Sequence, residues 1–131
     1  MNDRLKRIYI DFGKAFSNLE AAAKGAKTEL EIDGTIKRFE LCYELSWKLI
    51  KELLANLGII CKNPRNCFKQ AVINDLIRDE DIWLNMIEDR NELVHIYVFI
   101  KSREIFENIK NKYLEPLKWL LEKAKGEYEN D

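Results

Sequence analysis

The chain has 131 residues, of which 47% are hydrophobic and 34% are charged. This length and mixture suit one domain over residues 1–131, built from amphipathic helices, and exclude a disordered chain. The formal net charge is −1, from 22 Lys and Arg against 23 Asp and Glu, which excludes a bulk positive field that would attract DNA or an anionic membrane.

Apolar residues at steps of three and four predict a first helix from about Leu5 to Gly25. We interpret the following segment, TELEID, as a connection, and we expect Asp33 or Thr35 to cap a second helix that runs to Gly58. The second helix is apolar over much of its circumference. That pattern indicates either a central position in a bundle or a surface shared with another subunit.

Pro64 is well placed to begin a short third helix, PRNCFKQAVINDLI, and Asp79 or Glu80 is expected to open a fourth. A continuous apolar run, IYVFI, lies at the C-terminal end of the fourth helix and could be mistaken for a strand. Because a single run has no partner strand, we interpret it as the packed end of the fourth helix and the turn after it.

Ser102 can cap a last helix that Pro116 interrupts. Proline removes a backbone donor and clashes with the preceding turn, so we predict a kink or a break near residues 113–115. A polar tail follows over about residues 125–131. The predicted fold class is therefore all-α, an antiparallel up-and-down bundle of four long helices and one short helix.

The sequence has no apolar run of the roughly 20 residues that span a bilayer. Its first segment, MNDRLKRIYI, also lacks the apolar core of a signal peptide, so we expect a cytoplasmic protein with no membrane contact. Cys42, Cys61 and Cys67 are odd in number and have no CxxC spacing. We therefore predict reduced, partly buried thiols, and neither a metal site nor a cofactor.

The stretch DRNELVHIY, residues 89–97, is the candidate site. At about 100° per residue, Arg90 falls within the apolar stripe of the fourth helix. A guanidinium is costly to bury unpaired, so it must meet a carboxylate, reach a carbonyl or face a groove that accepts an anion. The structural alternative is a salt bridge to a glutamate of the second helix, such as Glu40 or Glu44.

Asn91 and His95 are four residues apart, so on a regular helix the amide can orient the imidazole. Arg90 and His95 stand about 140° apart. They converge only if the turn loosens, if the arginine reaches around, or if two subunits present their motifs to a common cleft. Without such a link, His95 is interpreted as a capping residue near a helix C-terminus.

Three basic residues, Lys62, Arg65 and Lys69, surround the proline that begins the third helix. Arg65 and Lys69 are candidates for contact with nucleotide or RNA phosphates, although most such clusters are merely solvated. The acidic segment IRDEDIW is expected to stabilise a helix N-terminus rather than to bind a metal.

DRNELVHIY resembles the Arg-x4-His-x-Tyr motif of the HEPN superfamily, especially its HepT-like group, in which Asn commonly follows the Arg. The similarity covers about residues 5–121. RFELCYELSWKLIKELLANLG, the Pro-led short helix ending in DLI, and DEDIWLNMIEDRN resemble the nucleotidyltransferase substrate-binding branch of this group. One departure is that Val98 and Phe99 follow the tyrosine, where this branch often has acidic residues.

The resemblance implies a homodimer with both motifs facing a cleft between subunits, and a minimal nucleotidyltransferase as cognate antitoxin. It implies a metal-independent RNase in which Arg90 stabilises the phosphate, His95 is the general base or acid and Asn91 orients it. It also implies that Tyr97 accepts AMP from the partner enzyme, which would block the cleft.

Two other functions are compatible with the same residues. The chain can be a non-catalytic subunit that binds nucleotide or substrate for a separate nucleotidyltransferase. It can also be a structural interaction module in which the motif is a relic. Each of the three functions requires a partner chain, which the wide apolar surface of the second helix would accommodate.

Overall fold

The computed structural model describes residues 1–95 and 99–130. Its regular elements are α1 (Asp3–Gly25), α2 (Glu29–Asn56), α3 (Pro64–Ile73), α4 (Glu80–Leu93), α5 (Phe99–Asn108), a π-helical turn (Ile109–Tyr113) and α6 (Leu114–Glu129). Since α5, the π-helical turn and α6 follow one another directly, the described residues form four long helical segments and one short helix. The predicted all-α bundle is confirmed. No helix in the described ranges is long and apolar enough to cross a membrane.

The start of α2 differs from the prediction, because Thr28 and Glu31 form a capping box. Thr28 Oγ1 accepts from Glu31 N at 3.1 Å, and Glu31 Oε1 accepts from Thr28 N at 2.9 Å. The segment TELEID is therefore mostly helix, and its interpretation as a connection was wrong. Asp33 and Thr35, the expected caps, lie inside α2, where the buried Thr35 hydroxyl donates to the Glu31 carbonyl at 2.9 Å.

The core is centred on α2, which packs against α1, α3 and α5. Phe39 of α2 stacks on Tyr113 with ring centroids 5.5 Å apart, and Phe68 of α3 lies 4.9 Å from Trp83 of α4. These pairs of fully buried rings join α2 to the π-helical turn and α3 to α4. The central position predicted for α2 is thus observed within one chain.

Two features of the last helical segment differ from the prediction. Helix α5 begins at Phe99, so Ser102 lies within it and does not cap it. Of the kink or break predicted near residues 113–115, the break is not observed: a π-helical turn ends at Tyr113 and the helix then continues. The proline ring would clash with the carbonyl four residues earlier, that of Lys112, and the wider turn lies at that carbonyl.

The predicted polar tail is helical as far as Glu129. The ring of Tyr128 stacks on that of Tyr9 in α1, with centroids 4.9 Å apart. This contact docks the end of α6 onto α1, which the polar composition of the segment did not indicate.

The prediction of three reduced thiols was wrong for two of them. Cys61 and Cys67 form a disulfide, because the chain after α2 returns to α3 and brings their Cα atoms to 5.0 Å. Cys42 is a free, buried thiol, as predicted, and burial raises its pKa to about 12. Among the residues that the structure describes, no group of His, Cys, Asp and Glu side chains is arranged to hold a metal ion.

Candidate functional site

The last turns of α4 position the motif that the sequence singled out. Arg90 and Asn91 lie on the helix, which ends at Leu93, and His95 follows in a turn in which its N–H donates to the Glu92 carbonyl at 2.9 Å. Residues 96–98 lie outside the described residues. The predicted roles of Tyr97 and of the IYVFI run therefore fall outside what the structure describes.

Arg90 meets a carboxylate of α2, as the structural alternative expected. Its Nη2 lies 3.6 Å from Oε1 of Glu44, and each side chain is about one third exposed, at 34% and 36%. The other carboxylate oxygen, Oε2, accepts from Nε1 of Trp47 at 3.1 Å. Arg90 Nε is buried and has no hydrogen-bond partner among the residues that the structure describes. The guanidinium is thus only partly satisfied by protein groups.

A cavity of about 290 Å³ opens beside this ion pair. It is lined by Tyr43, Glu44, Trp47, Asn63, Pro64, Arg65, Ile87, Arg90 and Asn91. Its walls combine aromatic and aliphatic surface with two guanidinium groups, one carboxylate and two amides. That composition is typical of a small-molecule site, in which a few polar groups orient a ligand held by apolar walls. We call it the Arg90 cavity.

Tyr43 contributes a neutral phenol to the Arg90 cavity. Burial raises its pKa to about 12, Glu44 adds to the rise, and Arg90 opposes it. The hydroxyl therefore keeps its proton at neutral pH and can donate to an anion. The sequence did not predict three of the lining residues, Tyr43, Trp47 and Asn63. Helical spacing shows which residues share a face of a helix, but it does not show which of them line a cavity.

Arg65 lines the Arg90 cavity, and the predicted phosphate contacts of Arg65 and Lys69 stay a prediction. Asn63 and Arg65 also line a second cavity, of about 440 Å³, together with Asn66, Lys69, Glu80 and Leu84. The two cavities therefore share two lining residues at the start of α3. Lys62, the third member of the predicted basic cluster, lines neither cavity.

His95 lies in a different place from Arg90. It is exposed and lines a cavity of about 490 Å³ with Glu88, Asp89, Asn91, Glu92 and Lys101. Within the described residues no hydrogen bond joins Asn91 to His95. Asn91 nevertheless lines both cavities, so it lies between the two predicted catalytic side chains. In the described part of one chain, the guanidinium of Arg90 and the imidazole of His95 line different cavities.

Asp89, the first residue of the motif, fixes this end of α4 against the π-helical turn. Its Oδ2 accepts from the hydroxyl of Tyr113 and from Nδ2 of Asn108 at 3.0 Å. Burial raises the pKa of Tyr113, and the hydrogen bond to Asp89 raises it further. Sequence reasoning missed this link, because Tyr113 reaches Asp89 through a turn whose π-helical form was not predicted.

Comparison with known proteins identifies the family. The model of the family described as nucleotidyltransferase substrate binding protein like matches residues 7–126. The chain therefore belongs to this family, and the part of the resemblance that named a nucleotidyltransferase substrate-binding branch is confirmed. None of the curated proteins compared with the chain matches it significantly.

Two solved structures show the same fold. A protein of Thermus thermophilus is 28% identical, with a TM-score of 0.74 over 88% of this chain and 97% of its own. A protein of Haemophilus influenzae, described as revealing the fold of a substrate binding domain of a nucleotidyltransferase, is 24% identical, with a TM-score of 0.80 over 89% of this chain and 98% of its own.

Proposed function

We propose that this chain is the substrate-binding subunit of a nucleotidyltransferase and that the Arg90 cavity holds an anionic group of the substrate. The observation that carries this proposal is the incomplete pairing of Arg90. A guanidinium engaged in a structural salt bridge makes short, often bidentate bonds of about 2.7–2.9 Å to its carboxylate. Within residues 1–95 and 99–130, Arg90 instead has an ion-pair contact at 3.6 Å and a buried Nε without a hydrogen-bond partner, at the wall of an open cavity.

The charge of the lining supports the same function. Arg65, Arg90 and Glu44 all line the Arg90 cavity, so its lining carries one more positive than negative charge. The formal net charge of the whole chain is −1. Asn63, Asn91 and the neutral Tyr43 add hydrogen-bond donors. A local site of this kind recruits an anion without a basic surface over the whole molecule. Membership in the substrate-binding family, and the description of the Haemophilus influenzae structure, agree with this assignment.

Calorimetric titration with inorganic pyrophosphate at low ionic strength tests the proposal. We expect Arg90→Gln to weaken binding at least about tenfold, because a hydrogen bond to a charged group is worth about 1.5–3 kcal/mol. Arg78→Gln is the matched control, since Arg78 is an exposed arginine that lies over Trp119, outside the Arg90 cavity. Equal affinity of the parent chain and Arg90→Gln would overturn the assignment.

A pull-down with a minimal nucleotidyltransferase from the same genome tests the partner. The proposal expects a stable complex in which the Arg90 cavity faces the nucleotidyltransferase active site. If the chain binds pyrophosphate through Arg90 but forms no complex, the anion site stands and the role as a nucleotidyltransferase subunit is contradicted.

A second function, the HEPN-type RNase, is favoured by the exposure of His95 and by the position of Asn91 between the two cavities. Because one chain keeps Arg90 and His95 apart, this activity requires a homodimer in which His95 of one subunit approaches Arg90 of the other. RNA digestion by the purified chain without added metal tests it. If His95→Ala cleaves RNA as fast as the parent chain, the catalytic role of His95 is contradicted. A separate experiment tests AMP transfer to Tyr97: mass spectrometry of the chain after incubation with ATP and the nucleotidyltransferase.

A further inference from the structure

A disulfide encloses the residues that bring the start of α3 to the Arg90 cavity. Cys61 and Cys67 are bonded to each other, with their Cα atoms 5.0 Å apart. We call residues 61–67 the disulfide loop. The members of this loop that line the Arg90 cavity are Asn63, Pro64 and Arg65. One wall of the cavity therefore belongs to a segment whose two ends are joined by a reducible bond.

Hydrogen bonds fix the shape of the disulfide loop but not its position in the bundle. Asn63 Oδ1 accepts from Asn66 N at 2.9 Å, and the Asn63 carbonyl accepts from Cys67 N at 2.9 Å. Both bonds join residues of the same loop. Among the described residues, no hydrogen bond or ion pair joins residues 62–65 to α2 or α4. The disulfide and side-chain packing therefore hold the loop against the rest of the protein.

Reduction changes the packing around the two sulfur atoms. Cys61 is 1% exposed and Cys67 is 0% exposed. Two unbonded sulfur atoms need more room than two bonded ones, and a close-packed core offers little of it. Cys67 lies in α3 beside Phe68, whose ring packs against Trp83 with centroids 4.9 Å apart, so this side resists displacement. Reduction is therefore expected to displace Cys61 and the exposed start of the loop.

This displacement reaches the cavity through the first turn of α3. Asn63 is the N-cap of α3, because its side chain accepts from the backbone N–H of Asn66. When Asn63 moves with Cys61, the first turn loses its cap and loosens. Arg65 lies in that turn, and its side chain is exposed. Opening of the disulfide thus removes Asn63 from the cavity wall and leaves Arg65 less well ordered.

A dithiol can open the bond by thiol–disulfide exchange. One thiolate of the dithiol attacks Cys61 Sγ, and Cys67 leaves as a thiolate in the first turn of α3, where the helix dipole stabilises negative charge and a proton is then taken up. The second thiol of the dithiol displaces Cys61, so the dithiol becomes a disulfide and the chain gains two thiols. Residues 57–60 are mostly exposed, so local opening is enough to admit the dithiol.

We infer that the bond between Cys61 and Cys67 is a redox switch for the Arg90 cavity, which binds its anion tightly when the bond is closed and more weakly when a dithiol has opened it. This inference rests on the proposed function, since it concerns the regulation of the same cavity. In a reducing compartment, the location that we expect from the sequence, the disulfides that do form are usually transient and redox-sensing.

Calorimetric titration of the full chain with inorganic pyrophosphate, before and after reduction, tests the switch. The dithiol is removed under nitrogen before the titration, and the number of free thiols, which rises from one to three, verifies the reduction. We expect reduction to weaken binding at least about threefold, the effect of having to order one long side chain on binding. Equal affinity of the two forms would overturn the inference.

Two variants separate the bond from other effects of the dithiol. The double variant Cys61→Ser with Cys67→Ser cannot form the bond, so it is expected to bind with the affinity of the reduced parent both before and after treatment. Cys42→Ala is the matched control, since Cys42 is a free thiol in α2, outside the loop, and this variant should keep the full response. A response that persists in the serine variant, or that disappears in Cys42→Ala, belongs to another group and would overturn the inference.

Limited proteolysis gives a readout that does not depend on ligand binding. Lys62 and Arg65 are exposed trypsin sites inside the disulfide loop. We expect cleavage after them to be several-fold faster in the reduced chain than in the closed one, and equally fast in the reduced chain and the serine variant. Equal rates for the closed and reduced chains would contradict displacement of the loop.

Failure of the switch is distinguishable from failure of the proposed function. If both forms bind pyrophosphate equally well, the anion site stands and the switch is wrong. If neither form binds pyrophosphate, both the proposed function and this inference are wrong.

Discussion

Glu44 Oε1 lies 3.6 Å from Arg90 Nη2, and this contact joins the middle of α2 to the last turn of α4 across the candidate site. Both side chains are about one third exposed, so solvent screens their attraction. The pair is therefore a poor source of stability and a suitable place for ligand exchange.

Arg90→Gln is expected to change the free energy of unfolding by less than about 1 kcal/mol, because a partly exposed ion pair contributes little. Urea denaturation monitored by circular dichroism measures this change. The same substitution is expected to weaken pyrophosphate binding at least about tenfold. A loss of stability of about 3 kcal/mol or more would instead identify the pair as a structural salt bridge.

Asp89→Asn is expected to destabilise the fold by about 1–3 kcal/mol, because the charged acceptor of Tyr113 and Asn108 is lost. Glu88→Gln is the control, since Glu88 is the exposed neighbour on the same helix. A double-mutant cycle with Tyr113→Phe measures the coupling between α4 and the π-helical turn. Additive effects would show that Asp89 does not act through Tyr113.

Tyr43 gives a pH dependence with a definite sign. Its folded pKa is raised from 10.0 to about 12, so the folded state holds the phenolic proton more tightly than the unfolded state. This contribution to stability is fully present below pH 10 and is lost as the pH rises towards 12. Tyr43→Phe is expected to reduce the loss of stability over that window, measured by urea denaturation at several pH values. An unchanged slope would contradict the burial of this phenol.

Glu31 has the opposite sign. The backbone N–H groups of Thr28 and Lys27 hold its pKa below the usual 4.5, so its contribution to stability is present above that value and is lost as the pH falls further. Thr28→Ala is expected to cost about 0.5–2 kcal/mol at neutral pH. Glu31→Gln should flatten the acid limb of the stability curve. If the acid limb is the same in both chains, the capping box does not form in solution.

The disulfide closes the loop that carries Asn63, Pro64 and Arg65 to the Arg90 cavity. Replacing Cys61 and Cys67 by serine is expected to cost about 2 kcal/mol of stability, because the closed loop is short. Thermal unfolding of the double variant and of the parent under reducing conditions should agree. If reduction has no effect on the parent while the serines destabilise it, the bond is absent in solution.

Hydrophobic spacing predicted the helices well because burial of one face dominates helix formation in a bundle. It also placed Arg90 inside an apolar stripe, and from that position a glutamate partner on α2 followed. The start of α2 was missed because the side chains of Thr28 and Glu31 satisfy backbone groups that spacing does not consider. The extent of α2 could have been read from the Thr-x-x-Glu pattern itself.

Other features could not be obtained from one sequence. The pairing of Cys61 with Cys67 depends on the path of the loop between α2 and α3, and that path follows from tertiary packing. Trp47 and Tyr43 have the same spacing as core residues, and only the positions of Pro64 and Arg65 on another helix turn them into cavity walls. Both the disulfide and the cavity walls therefore depend on contacts between segments that are distant in the sequence, and local helix propensity does not predict such contacts.

The most direct test of the central claim is the NMR signal of the Arg90 Nε–H group on titration with inorganic pyrophosphate. This group is buried and has no hydrogen-bond partner in the part of the chain that the structure describes, so a phosphate that takes over the guanidinium should shift and sharpen its resonance in proportion to occupancy. The account predicts that this shift saturates with the same dissociation constant as calorimetry. Saturating pyrophosphate that moves signals around His95 and leaves Arg90 Nε–H unchanged would contradict it.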